Sequence, residues 1–579
     1  MRRSVSLSIA MASSLGVCRL HMRGRGGLVK SLRRVQTFVH RNTGTVVAAA
    51  DGDPLRKEAT DEKHGRRSLS AVQAERQGQA ERSVLISCNP RTNEKKFLKF
   101  LSRHGDVSKY FFYESYGIYA LVEFTKRESV ASLLEEAAIP TVSHEALVPF
   151  KTRLLSLKNI DSVGSTNQQY QPQTTAPINQ LIQRLSREES IDRQVISLTE
   201  SYQLTEENSR LRFLVCSLLQ DMVAAYFPEC AIKPFGSSVN GFGKLGCDLD
   251  MILDLDSISG RKAKTPKSAS SLEYQLKRAS TERAVTQSIL SVIGECVDQF
   301  GPGCVGVQKI LNARCPLLRF AHQPSSFQCD LTANNRVAVK STELLYLYGQ
   351  LDPRVRFLVF TVRCWARAHG ITSSIPGAWI SNFSLTVMVL FFLQRRSPPI
   401  IPTLDHLKGL AGPADKSVIE GNDCTFVSDF SRIQLRSNTE TLEQLLCEFF
   451  DFYATFAFGK MSINIRKGKE QNKPEVAPLH IQNPFEISLN VSKNVNATQL
   501  GRFVALCQES SWLLQQVETA TPTGGAAGNT PRPWGLAALL QPSQVAEIKS
   551  RKKRRREPAS ERIRTLLESL KNNKQPNKS

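Results

Sequence analysis

The sequence predicts an α+β protein with a sheet domain at its centre, a mainly helical domain after it and a small α/β domain before it. Three observations carry that reading. Residues 82–153 alternate strand and helix patterns in the order β-α-β-β-α-β. Residues 236–256 read GSSVNGFGKLGCDLDMILDLD, a strand in which Asp248, Asp250, Asp254 and Asp256 share one parity and Leu249, Met251, Leu253 and Leu255 the other. Beyond Glu343 the apolar spacing is mainly helical up to about Tyr453. Successive side chains on a strand point to opposite faces, so the carboxylates line one face and the aliphatics enter a core. Four carboxylates on one face repel each other, which calls for a bound cation or an exposed surface.

Bulk properties bound what such a site could serve. At 579 residues the chain is too long for one core, and two to four domains are expected. No run of 18 apolar residues occurs, so no helical membrane span is expected, and LTVMVLFFL (385–393) reads as a buried helix. Thirteen cysteines without a CxxC pair point to reduced thiols, against a zinc site or a disulfide framework. The net charge of +23 is unevenly spread: residues 1–50 hold nine Arg/Lys and no acid, and KSRKKRRR (549–556) holds seven. Setting those sixteen aside leaves only +7, so the folded body is mildly basic and any nucleic-acid contact there is a local patch.

The elements follow in order. Residues 1–50 are Arg- and Ser-rich with no long apolar core, the pattern of a mitochondrial presequence and linker, with cleavage between Arg34 and Asp51; a basic arm is the alternative. Residues 51–80 are polar without periodicity and read as linker. In 82–153, SVLIS, VSKYFFYES, GIYALVEF and a short strand near ALVPF read as strands, NEKKFLKFLSRHG and ESVASLLEEAA as helices. That order resembles an RNA-recognition motif, which stacks bases on aromatics of its central strands. Here Tyr119 is aromatic but Leu121 and Leu85 stand at the other stacking positions, so a protein contact, such as homodimerisation, is favoured over RNA stacking. Residues 155–180 read as a second linker. A catalytic sheet domain is expected over 178–345: helices to about Phe227, the carboxylate strand, a basic insertion (259–271), a helix over 273–296, then strands VQKILNA, CPLLRF and SSFQCDLTANNRV. A mainly helical domain over 346–515 and a disordered basic tail over 521–579 complete the chain.

The carboxylates suggest a chemistry. Nucleotidyl transfer needs a triphosphate's charge neutralised while a hydroxyl attacks in line, and two divalent ions can clamp the attacking and leaving oxygens. Hard cations want oxygen ligands converging from neighbouring strands. Asp248 and Asp250 supply two, and Asp330 in FQCDL is the candidate third. Gly236–Ser237 lies at a turn before a short helix, where glycine permits close backbone approach and the serine with nearby amides can hold phosphate oxygens.

GSSVNGFGKLGCDLD followed by an aspartate strand resembles the Gly-Ser/Asp-x-Asp signature of polymerase-β-like nucleotidyltransferases, and residues 178–515 resemble a poly(A) polymerase of the terminal nucleotidyltransferase family. The resemblance implies a polymerase-β-like palm followed by a mainly helical poly(A)-polymerase-associated domain. It implies two divalent ions, Mg²⁺ or Mn²⁺, on Asp248, Asp250 and Asp330, with Ser237 on phosphate, Asn335 on ribose and Thr342 as a polar contact. In PRVRFLVFTVRCWARAHG, Arg363 and Arg367 lie i,i+4 and match residues that hold the β- and γ-phosphates. Phe383 stands where many relatives carry a base-stacking tyrosine. LHIQNPFEISLNVSKNV (479–495) resembles the nucleotide-recognition loop, with Asn483, Pro484, Phe485, Glu486 and Asn490 in register. It departs in having Asn483 for an aspartate and Ser492 for a glycine; Leu489 stands where uracil-selective relatives tend to carry histidine, which favours ATP. The implied activity is template-independent addition of A residues from ATP to RNA 3′ ends of mitochondrial transcripts. A terminal uridylyltransferase and an inactive RNA- or protein-binding scaffold are the alternatives, and the intact carboxylate trio argues against the scaffold.

Overall fold

The computed structural model describes residues 66–541 apart from 91, 137–150, 158–169, 228–229, 255–280, 374, 376 and 518–531. The presequence, the ALVPF strand, Asp256, the basic insertion and the run at 549–556 lie outside them. Among the described residues no helix is long and apolar enough to cross a membrane.

The chain opens with helix α1 (Leu69–Glu81), where linker was expected. Its periodicity is weak because only Leu69 and Ala80 are buried. The Ser68 hydroxyl caps it, and it packs along α6 (Glu206–Ala224) of the central domain. Then follow β1 (Ser83–Cys88), α2 (Glu94–Leu101), β2 (Val107–Glu114), β3 (Ile118–Phe124), α3 (Arg127–Glu136) and β4 (Leu154–Ser156), in sheet order β2-β3-β1-β4. The element order of the described residues is as expected, with one correction. The strand at 154–156, just past the expected ALVPF segment, runs parallel to β1, Leu85 opposite Leu154, where an RNA-recognition motif has an antiparallel strand.

The sheet face that would stack bases is buried. Leu85, Tyr113 and Leu121 belong to one apolar cluster with Leu211, Leu214 and Leu218 of α6. The Tyr113 hydroxyl donates to the Pro324 carbonyl (2.8 Å). Buried Arg153 donates to Asp221 (2.7 Å), to Ser217 Oγ (2.6 Å) and to the Ala80 carbonyl (2.6 Å). The protein contact expected of this face is therefore made within the chain. It leaves the homodimer without support.

Helices α4 (Ile178–Leu185), α5 (Ile191–Tyr202) and α6 lead to the central sheet. Its strands are β5 (Ala231–Pro234), β6 (Leu249–Asp254), β7 (Cys304–Ile310), β8 (Leu317–His322) and β9 (Phe327–Ala333), in order β5-β6-β9-β8-β7, with β6 and β9 parallel. Leu249, Met251 and Leu253, with Cys329 and Leu331, enter a core shared with α6 and α7 (Glu282–Phe300). The described part of that helix begins at Glu282, later than 273.

The helical domain holds α8 (Arg336–Leu351), α9 (Pro353–Ala368), α10 (Asn382–Gln394), α11 (Leu404–Gly409), α12 (Leu442–Thr455) and α13 (Ala497–Val517). Asp352 caps α9 with Pro353 at its first position. Helix α10 is buried nearly all round, as LTVMVLFFL implied. Residues 410–441, expected to be helical, are instead mostly irregular, with two-residue strands at Val418–Ile419 and Asn422–Asp423. Residues 532–541, assigned to the disordered tail, carry α14 (Gly535–Leu539), whose Leu536 and Leu539 enter the helical core. Trp534 Nε1 donates to the Ser186 carbonyl (3.2 Å), and Leu536 N donates to Gln194 Oε1 (2.7 Å).

Candidate active site

Two strands and one turn build the site. In the parallel pair β6–β9, Asp250 stands directly opposite Asp330. Asp248 immediately precedes β6 and is exposed. Just ahead, Gly236–Ser238 form a single 3₁₀ turn. Gly236 has φ +62°, and a Cβ there would stand 3.1 Å from Asp250 Oδ2. A side chain at 236 would be strained and would crowd the carboxylate, so the turn can lie over the aspartates only with glycine.

The turn is held from behind. Gly236 N donates to Thr342 Oγ1 (2.9 Å) on α8, and Thr342 in turn donates to the Ala338 carbonyl (2.9 Å). Thr342 is buried, so its observed role is to fix the turn. Ser238 is buried and accepts from Arg212 (2.9 Å), while Ser237 is half-buried and donates weakly to Cys247 Sγ (3.6 Å).

Arg212 was not anticipated. It is fully buried in α6 and donates to the Asp248 carbonyl (2.9 Å), the Cys247 carbonyl (2.7 Å) and Asn208 Oδ1 (2.8 Å). It thus fixes the backbone that carries the first carboxylate. An arginine inside the apolar run LRFLVCSLL was the signal available.

The electrostatics match the demand read from the strand. Burial, reinforced by the Asp330 and Asp248 charges, pushes the Asp250 carboxyl up to about 7. Desolvation and then Asp330 raise Asp248 too. Asp254 lies at the far end of β6, 3.9 Å from Lys233, away from the trio. Three carboxylates and no soft ligand suit a hard divalent ion. Asp330, however, is turned on to Arg319: Nε reaches Oδ1 (2.8 Å) and Nη2 reaches Oδ2 (2.6 Å). Among the described residues no three acidic, histidine or cysteine side chains already converge as a finished ligand set. The donor set fits a divalent cation, and taking one up requires Asp330 to leave Arg319.

The remaining residues differ in how free they are. Asn335 is half-buried at the start of α8. Arg363 is drawn inward: it donates to the Phe242 carbonyl (2.8 Å), Thr386 Oγ1 (2.6 Å) and the Asn382 carbonyl (3.3 Å). Burial lowers its guanidinium to about 10, which still leaves it charged at neutral pH. Arg367, one turn on, is exposed. Phe383 is half-buried against the helical core.

In the loop at 479–495, Asn483 Oδ1 accepts from Phe485 N (2.9 Å) and Glu486 N (3.1 Å), an asparagine doing the turn-capping work of the aspartate it replaces. Asn490 is buried and engaged three times: Oδ1 accepts from Ile481 N (3.1 Å) and Ser492 N (2.9 Å), and Nδ2 donates to the Leu479 carbonyl (3.0 Å). It shapes the loop. Glu486 ion-pairs with Arg314, between β7 and β8, so the loop touches the sheet domain. Leu489 is half-exposed. Ser492 Oγ meets Ser384 Oγ (3.0 Å).

A palm sheet with paired strand carboxylates under a Gly-Ser turn, followed by a helical domain, defines a polymerase-β-like nucleotidyltransferase. Comparison narrows the class. Family models match residues 191–350 (Poly(A) RNA polymerase, mitochondrial-like, central palm domain), 68–138 (RL domain) and 441–490 (Cid1 family poly A polymerase). The chain is 52% identical to the mitochondrial poly(A) RNA polymerase of Mus musculus, over 98% of this chain and 96% of that one. It is 57% identical to that of Homo sapiens, over 89% and 88%. A crystal structure of mtPAP with ATPγS, 53% identical, superposes with a TM-score of 0.75 over 82% of this chain and 100% of that one. The chain belongs to the mitochondrial poly(A) RNA polymerases.

Proposed function

We propose that the protein is a template-independent RNA adenylyltransferase that extends the 3′ ends of mitochondrial transcripts from ATP, in the matrix. The observation that carries this is the register pairing of Asp250 with Asp330 beneath the Gly236–Ser237 turn, within a chain of this family. The RNA 3′-hydroxyl attacks the α-phosphate of ATP, that P–O bond forms as the bond to the β-phosphate oxygen breaks, and pyrophosphate leaves. Asp248, Asp250 and Asp330 would hold the divalent ions, Mg²⁺ or Mn²⁺, and such ions would supply charge neutralisation for the attacking and leaving oxygens. The amides of the turn with Ser237 receive the triphosphate, and Arg367, whose side chain is exposed, is assigned to its distal phosphates. Asn335 is assigned to the ribose. Phe383 offers the base an aromatic face, while Glu486 and Leu489 line the loop beside it.

The rival reading is a terminal uridylyltransferase, which would share every carboxylate. Crystal structures of mtPAP exist in complex with UTP, CTP and GTP as well as ATPγS, so in those proteins binding does not exclude other bases. Base choice is then read in incorporation. Single-nucleotide extension of a labelled RNA with each of the four nucleotides is the test, with A favoured. Preference for UTP would overturn the reading. Asp248→Ala, Asp250→Ala and Asp330→Ala are each expected to abolish extension in folded protein, with little added by a second substitution. Near-normal activity of the Asp330 variant would remove it from the ligand set.

A further inference from the structure

Arg319 has no part in the chemistry described so far, yet it makes the most direct contact with the carboxylate trio. It lies on β8 directly opposite Asp330, since the register pairs Arg319 with Asp330 and Phe320 with Cys329. Leu318 and Phe320 on either side are buried in the core, so alternation puts Arg319 on the carboxylate face. Both of its near nitrogens engage, Nε with Oδ1 at 2.8 Å and Nη2 with Oδ2 at 2.6 Å, so both Asp330 oxygens are occupied by one guanidinium. A carboxylate held this way has its best lone pairs directed at the arginine. The two partners differ in freedom: the Asp330 side chain is 18% exposed and that of Arg319 is 48% exposed. The arginine can therefore turn out toward solvent at little cost to itself, while the more buried Asp330 it leaves needs another cation in its place.

We propose that Arg319 is a positioning residue that stands in for a divalent cation on Asp330 and is exchanged for one as the site loads. The inference rests on the metal-binding reading of the trio. Two consequences distinguish it from a merely structural ion pair. Arg319 opposes cation uptake, so its removal tightens binding. Asp330 also stays satisfied between turnovers, when it would otherwise face Asp250 as a second unpaired carboxylate.

The test is Mn²⁺ binding to the full chain, without nucleotide or RNA, followed by the loss of the free-ion paramagnetic resonance signal. Arg319→Gln is expected to bind Mn²⁺ roughly three- to tenfold more tightly than wild type, the span of a partly exposed, two-pronged ion pair. Arg319→Lys keeps the charge but offers a point donor, and falls between the two. The Mn²⁺ concentration for half-maximal extension shifts in the same direction, with the choice of base unchanged. Unchanged or weaker Mn²⁺ binding in both variants overturns the exchange role, whatever happens to their melting temperatures. Asp250→Ala separates the two levels: if it binds Mn²⁺ as wild type does, the metal-binding reading itself fails, and the exchange with it.

Discussion

At the scale of single residues, the resemblance and the structure divide the nucleotide-contacting positions into two kinds. Thr342 and Asn490 are buried and fully engaged with the protein, so they act through the turn and the loop they shape. Arg363 and Arg367 share a helix face by spacing, but only Arg367 is exposed. Arg363→Ala removes three hydrogen bonds that tie α9 to the Phe242 loop and the start of α10, and is expected to lower stability by about 1–3 kcal/mol. Arg367→Ala is expected to stay within about 0.5 kcal/mol in stability while raising the Michaelis constant for ATP. Thermal melts and ATP titrations of the two variants check this; equal melting temperatures would undo the division. Base choice is assigned to Leu489, next to Asn490. On that reading Leu489 gives the base an apolar contact where a histidine would narrow the pocket to a small pyrimidine. A single hydrogen-bonding change in such a pocket is worth about 1–3 kcal/mol, so Leu489→His is expected to move the A/U incorporation ratio toward U by roughly ten- to a hundredfold. An unmoved ratio at matched ATP and UTP would remove Leu489 from the base contacts and leave the enzyme class untouched.

At the scale of elements, the tail provides the sharpest test. Leu536 is fully buried in α14, which packs on α4, α5 and α13, so Leu536→Ala should cost about 2–5 kcal/mol of stability, measured by denaturant melts. A neutral result would return residues 532–541 to a dispensable tail. That segment was not legible beforehand because it is five helical residues between Gly/Pro-rich neighbours, and its burial is created by α4 and α5, some 340 positions away. Helix α1 escaped notice similarly, since its two buried residues leave no stripe to read. The palm, by contrast, was legible: parity along β6 separated Asp250 from Leu249 and Met251, and β9 repeated the pattern around Asp330. Strand partners were not. The parallel placement of β4, the opposition of Arg319 to Asp330 and the bracing by Arg212 all depend on which strand or helix arrives beside which. One strand's alternation carries no record of its neighbour. The leucines at 85 and 121 were read correctly as unfit for stacking bases, and their partner turned out to be α6 of the same chain.

At the scale of the whole molecule, charge is segregated from catalysis. The palm and helical domains hold the nucleotide machinery on a mildly basic body, while sixteen of the cations lie in residues 1–50 and 549–556. A presequence acts first on the nascent chain, so the run KSRKKRRR is read as attraction for the RNA backbone in preference to a nuclear signal. Such attraction is independent of sequence and works by releasing counterions. For single strands the slope of log affinity against log salt is about −0.7 per phosphate neutralised. Seven cations that all engaged would therefore contribute up to about −5 to that slope. Deleting 549–556 is expected to flatten the salt dependence of RNA binding, measured by fluorescence anisotropy between low and physiological salt. The melting temperature and the preference for ATP are expected to stay where they are, because the core and the carboxylate site are built from residues 66–541. Extension at limiting RNA should slow, and at saturating RNA it should not. A slope unchanged by the deletion would show that the phosphate contacts are made by the folded body. A tagged full-length protein that accumulated in nuclei, and lost that location with the run, would reassign those seven cations to targeting.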